Sequence, residues 1–169
     1  MKKALILIAL VLTGQLAWGQ DRISVIRQKL ETGRATLSYK YTVNGKVPVG
    51  GSGTLIAQGD CYIIEGNGLK IVCDGESQWT IDPEAKEVYI EPSEGAGAFL
   101  AHPEAILDNS SNLKVGDTEI SGIYNSPDSD AKISFRLWNI KFSSSGNDLT
   151  EFVYDADSLD SSWVVTDLR

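Results

Sequence analysis

The sequence predicts an α+β protein organised on one large antiparallel sheet. Residues 53–91, GTLIAQGDCYIIEGNGLKIVCDGESQWTIDPEAKEVYIE, read as four or five short strands punctuated by turn residues. Residues 34–43, RATLSYKYTV, alternate strictly between apolar and polar positions. Two other segments, 21–32 and 92–109, have helical rather than strand character.

The chain has 169 residues, enough for one domain with a real core. Residues 1–19 read as a cleavable leader. Lys2 and Lys3 form a basic start, Ala4 to Leu12 an apolar run, and Ala17-Trp18-Gly19 a small-x-small cleavage site. The run is shorter than the ~20 residues that a spanning helix needs. No cysteine stands near the cleavage site, so no lipid anchor is expected there. Residues 20–169 form the expected single domain of an exported, monomeric protein.

In residues 21–32, Ile23, Ile26 and Leu30 stand at i, i+3 and i+7, a narrow amphipathic stripe with Val25 pointing away. Asp21 and Gly33 suit its two ends. The strand at 34–43 places Ala35, Leu37, Tyr39, Tyr41 and Val43 on one face and Thr36, Ser38, Lys40 and Thr42 on the other.

The register of the meander follows from its turns. A two-residue turn at Gly59-Asp60 pairs Leu55 with Ile64. A three-residue turn at 66–68 pairs Ile63 with Ile71 and Cys61 with Cys73. A turn at Asp74-Gly75 puts Trp79 on the face of Val72, and a four-residue turn at 83–86 pairs Ile81 with Val88. This places Leu55, Ala57, Tyr62, Ile64, Val72, Trp79, Ile81, Val88 and Ile90 on one apolar face, with Lys70 the exception.

The pattern breaks at Pro92. Residues 92–109 contain Phe99, Leu100, Ile106 and Leu107 with little β-branching, and Pro103 suits a first helical position. One or two short helices are expected, serving either as a cover or as an ordinary crossover. Strands resume at Thr118 with EISGIY and KISFRLWNIKF, then LTEFVYD and SSWVVTDLR. The expected order is helix, five or six strands, helix, then about four strands.

The formal net charge is −8, and cleavage of the leader removes Lys2 and Lys3, leaving 13 basic against 23 acidic residues. This argues against nucleic acid and anionic membrane as partners, since both require positive patches. The register places Cys61 opposite Cys73. They read as a cross-strand disulfide closing a 13-residue loop, worth up to ~3 kcal/mol, or as two buried free thiols.

Catalytic patterns are absent. His102, the one histidine, precedes Pro103 at an expected helix start and reads as a capping or surface residue. No G-x-S-x-G turn and no metal-ligand spacing occurs. Asp155, Asp157 and Asp160 lack the glycine and terminal glutamate of a calcium loop. The expectation is therefore a non-enzyme with no cofactor and no metal. The predicted apolar face exceeds the helical material available to cover it, which points to a self-covering sheet or to a cavity for an apolar ligand.

Gly53-Thr54-Leu55 followed by Asp74-Gly75-x-x-x-Trp79-x-x-Asp82, behind a leader and a short helix, resembles the outer-membrane lipoprotein carrier (LolA-like) family. The segments Phe152 to Asp155 and Trp163 to Arg169 resemble the shorter Bacteroides-type members. The resemblance implies an unclosed, strongly curved antiparallel half-barrel of about 10–11 strands, with an N-terminal helix and a short lid helix. It implies a periplasmic chaperone that takes acylated lipoproteins, or another lipid-like ligand, from an inner-membrane donor complex to an outer-membrane acceptor. The cavity would be lined by Leu37, Tyr39, Tyr41, Leu55, Tyr62, Ile64, Val72, Trp79, Ile81, Val88 and Ile90, beneath a lid carrying Phe99, Leu100, Ile106 and Leu107. Better-known carriers have an F-R-W-like element whose arginine ties down the lid; the matching stretch here is Cys61-Tyr62-Ile63, without arginine. The same fold would also serve a periplasmic sensor or interaction module, and a hydrolase is the remaining alternative.

Overall fold

The computed structural model describes residues 22–26, 28, 29, 32–45, 48–93, 107–126 and 130–169. The ten strands are β1 (Gly33–Asn44), β2 (Val49–Gln58), β3 (Cys61–Gly66), β4 (Leu69–Cys73), β5 (Ser77–Asp82), β6 (Glu87–Pro92), β7 (Ser110–Val115), β8 (Glu119–Asn125), β9 (Lys132–Ser144) and β10 (Val164–Asp167). They form one open sheet in the order β10-β6-β5-β4-β3-β2-β1-β9-β8-β7. Every neighbour pair is antiparallel except β10 with β6.

The α+β expectation is thereby corrected to a mostly β protein. Among the described residues, helical ones are confined to 22–26, 28, 29 and 32, to 107–108, and to two 3-10 turns. A stripe of three apolar residues cannot make a helical layer, so the sheet supplies nearly all of the core. Ile23 and Ile26 pack against it, and Val25 points outward. The expected leader, Leu30, His102 and the lid residues Phe99, Leu100 and Ile106 lie outside the described residues.

The register at Asn67-Gly68 differs from the expected one. Gly66 pairs with Leu69, so the loop has two residues, with φ of 53° at Asn67 and 83° at Gly68. Positive φ at both central positions is the type I′ geometry that Asn-Gly favours, and its twist matches the strands it joins. The loop is one residue shorter than expected, and side chains alternate with a period of two. Ile64 therefore pairs with Ile71, Ile63 with Val72, and Tyr62 with Cys73. The other three turns keep their expected registers: Leu55 with Ile64, Val72 with Trp79, and Ile81 with Val88.

One slip moves the whole of β4–β6 to the opposite side. Face A carries Leu37, Tyr39, Leu55, Ala57, Tyr62, Ile64, Cys73, Ile120, Phe135, Leu137 and Ile140 in one buried cluster, with Leu107. Face B carries Cys61, Ile63, Val72, Trp79, Ile81, Val88 and Ile90 in a second cluster. The sheet thus buries one face at its β8–β3 end and the other at its β3–β6 end. β3 lies at the exchange, and Cys61, Tyr62, Ile63 and Ile64 are all buried.

The C-terminal segment covers face B. LTEFVYD, expected as a strand, is a 3-10 turn at Thr150–Phe152 followed by an extended stretch. Gln58 fixes its start, donating to the Gly146 carbonyl at 2.6 Å and accepting from its N–H at 3.2 Å. Arg34 forms a bidentate pair with Glu151, one contact at 2.9 Å, and its guanidinium lies 5.6 Å from the centre of the Phe152 ring. Phe152 is fully buried in the second cluster, joined by Tyr154, Ala156, Leu159 and Trp163. Packing of these side chains, rather than strand pairing, decides the conformation here. The chain then enters β10 beside β6.

Two bulges adjust the remaining strands. Between Thr36 and Ser38 the β1–β9 register shifts, and Asn139 has φ of 55°. This lets Leu137 and Ile140, three residues apart, both face the first cluster. β7, which the sequence pattern did not announce, is irregular between Ser111 and Lys114, with Asn112 at φ of 54°.

Candidate functional site

The slip divides the expected cavity wall. Leu37, Tyr39, Tyr41, Leu55, Tyr62 and Ile64 share face A with Leu107, which is 5% exposed. Val72, Trp79, Ile81, Val88 and Ile90 lie on face B beneath Phe152. No single surface contains both sets. The signals that mark this are Asn67-Gly68 and the unbroken apolar run from Cys61 to Ile64, which suits a strand buried on both sides.

Face A is ordered in transverse rows. Leu37, Leu55, Ile64, Ile71, Thr80, Tyr89 and Thr166 are successive direct partners across seven strands. Leu37, Leu55 and Ile64 are buried, Ile71 and Thr80 half-buried, and Tyr89 39% exposed. The core therefore thins outward along one continuous face. Exposed Leu69 and Val164 flank this outer part, which the sequence reading did not single out. A parallel row runs through Ala35, Ala57, Tyr62, Cys73 and Gln78. It is closed by the Tyr62 hydroxyl donating to Gln78 Oε1 at 2.6 Å, and burial pushes the Tyr62 hydroxyl well above its usual range.

The remaining row holds the glycines. Tyr39 pairs with Gly53, and Gly53 with Gly66. A Cβ at Gly66 would stand 2.7 Å from the Tyr39 hydroxyl and would also meet the Ser52 carbonyl. The glycines allow Tyr39 to lie against the sheet, and Tyr39 and Tyr41 stack with ring centres 6.3 Å apart.

The D-G-x-x-x-W-x-x-D stretch has structural roles. Asp74 Oδ1 accepts from the Glu76 and Ser77 N–H groups at 2.9 and 2.8 Å, with Gly75 at φ of 98°. Asp82 Oδ1 accepts from Glu84 and Ala85 at 3.0 and 2.9 Å. The two carboxylates close the turns at either end of β5, and Trp79 between them enters the face-B core. Asp155 and Asp160 likewise accept from the N–H groups of Asp157 and Ser162. Among the described residues, no three of His, Cys, Asp and Glu are grouped to hold a metal ion.

The expected register of Cys61 opposite Cys73 does not hold, and of the two readings, a disulfide or two buried free thiols, the arrangement agrees with the second. Tyr62, not Cys61, stands opposite Cys73, so the two thiols belong to opposite faces and both are free. Cys61 Sγ donates to the Asp74 carbonyl at 3.2 Å, and Cys73 Sγ accepts from Gly75 N–H at 3.4 Å. Burial pushes both thiols up, which disfavours the reactive thiolate. The native protein is expected to resist oxidation to a Cys61–Cys73 disulfide. Alkylation in denaturant without reductant, followed by mass spectrometry, should add two groups; addition of none would contradict this arrangement.

Recesses open among the described residues, and two of them bear on binding. One of about 510 Å³ is bordered by Gln58, Asp60, Cys61, Asp74, Glu76 and Leu149. The other, of about 230 Å³, lies between Val25, Ile26 and Phe142 and has Arg22, Lys29 and Asp117 at its rim. No protein-family model matches this sequence, and no curated protein is significantly similar to it.

Proposed function

We propose that this protein binds acyl chains of lipid-modified proteins on face A and carries them across the periplasm, from an inner-membrane donor to an outer-membrane acceptor. The observation that carries the reading is the transverse row from Leu37 to Tyr89, which passes from packed core to exposed surface without leaving the face. An acyl chain laid on Ile71, Thr80 and Tyr89 extends the buried apolar layer outward. Each methylene removed from water contributes ~0.8 kcal/mol. The leader-like residues 1–19 and the resemblance to lipoprotein carriers support the same reading. Release requires an acceptor with higher affinity for the chain, because a carrier shifts populations only through differential affinity.

The test is titration with a fluorescent acylated peptide, accompanied by mass spectrometry of organic extracts of the purified protein. Ile71→Asp and Tyr89→Asp should each weaken peptide binding at least roughly tenfold, about 1.4 kcal/mol, through lost apolar contact. Wild-type-like binding by both variants, with no lipid in the extracts, would sink the proposal. Trp79→Ala, on face B, should leave affinity unchanged in protein that remains folded.

A further inference from the structure

The recess beside residues 22–29 joins two features, an apolar wall and a cationic rim. Its lining is apolar, from Val25, Ile26 and Phe142, and Ile26 and Phe142 fringe the face-A core. Its rim holds two cations in a chain of net charge −8. Lys29 Nζ lies 5.4 Å from the centre of the Phe142 ring, a placement that keeps the ammonium at the mouth and its stem along the apolar wall. Arg22 Nη1 is 3.4 Å from Asp117 Oδ1, with the two side chains 55% and 89% exposed. A pair so exposed to water contributes little, so Arg22 can turn to another anion at small cost.

We propose that this recess binds a medium-chain carboxylate amphiphile, with the chain against Ile26 and Phe142 and the carboxylate between Lys29 and Arg22. The volume of about 230 Å³ suits about eight carbons, taking the ~30 Å³ share of one water as the measure of a methylene-sized unit. The chain extends the fringe of face A at Ile26 and Phe142, apart from the outer row at Ile71, Thr80 and Tyr89, and in assigning acyl-chain binding to this face the inference rests on the proposed function. The charge of the head is new, because an amide- or ester-linked acyl chain of a lipoprotein carries no carboxylate. The nearby Asp117 carboxylate opposes the ligand and also competes for Arg22. Its removal therefore has a defined sign.

The experiment compares octanoate with octanol, two ligands with the same chain length, by NMR titration of the protein. Octanoate should bind about fivefold tighter than octanol, the effect of about 1 kcal/mol from exposed charge pairing. Lys29→Ala should abolish that preference, and Asp117→Asn should tighten octanoate without changing octanol. Equal affinity of the wild type for both ligands, or a preference that survives Lys29→Ala, overturns the carboxylate site and leaves the acyl-chain reading intact. Failure of either ligand to perturb the resonances of residues 22–29 and Phe142 overturns the site. The acyl-chain reading of face A fails separately, if the acylated peptide binds Ile71→Asp and Tyr89→Asp as it binds the wild type and no lipid is extracted.

Discussion

Phe152→Ala should lower the free energy of unfolding by about 3–5 kcal/mol, the range for removing a large aromatic from a packed interior. Phe152 is fully buried and closes the face-B cluster over Val72, Trp79 and Val88. Its loss leaves a cavity that these β-sheet side chains cannot fill, because strand pairing fixes them on the far side. The Arg34 guanidinium over the ring also loses its stacking partner, while its pairing with Glu151 remains. Urea denaturation of the variant measures the loss. A change below about 1 kcal/mol would show that residues 145–163 are not part of the core. Total stability of a domain this size is about 5–15 kcal/mol, so the variant loses a large fraction of it.

Gly53→Ala and Gly66→Ala should each cost at least about 2–3 kcal/mol, at the upper end of overpacking losses. A Cβ at Gly53 would enter the Glu65 carbonyl, and one at Gly66 would stand 3.1 Å from Gly53 Cα and against the Ser52 carbonyl. These obstacles are backbone atoms, which cannot rotate aside as a side chain does. Thermal melts should show a fall of roughly 2–4 °C per kcal/mol. Tyr39→Phe combined with Gly66→Ala should be less destabilising than the sum of the two, because it removes the hydroxyl 2.7 Å from the new methyl. Additive losses would show that Tyr39 does not lie over the glycine pair.

Most of the strand content was legible because β1, β2, β5, β6 and β9 alternate and their turns have distinctive residues. What misled was the run Glu65-Gly66-Asn67-Gly68. Gly66 belongs to β3, paired with Gly53, although it resembles a turn residue in sequence. Counting it as turn assigns Val72, Trp79, Ile81, Val88 and Ile90 to the face of Leu55 and leaves that face without sufficient cover. Counting it as strand divides the apolar residues into two clusters, and the cover for the second is Phe152, Tyr154 and Trp163. LTEFVYD concealed this role because its alternation also suits a strand. Its contacts with Arg34 and the face-B cluster are long-range and leave no local signature. The candidate site shared that fate: Tyr89 is aromatic in a strand like many core residues, and only its place at the thin end of the row distinguishes it.

The exchange of faces at β3 has a consequence for the order in which the molecule can form. Strands β1 to β6 are contiguous in sequence and pair with their neighbours through short loops, so their hairpins can appear early. Neither side of that six-stranded ribbon is closed by its own residues, however. Face A is completed by Ile120, Phe135, Leu137 and Ile140, and face B by Phe152 and the segment leading to β10. Both completing sets follow Ser93 in the chain. A nascent polypeptide that has emerged only to Pro92 has two apolar surfaces and no finished interior, so cooperative folding must await the later strands.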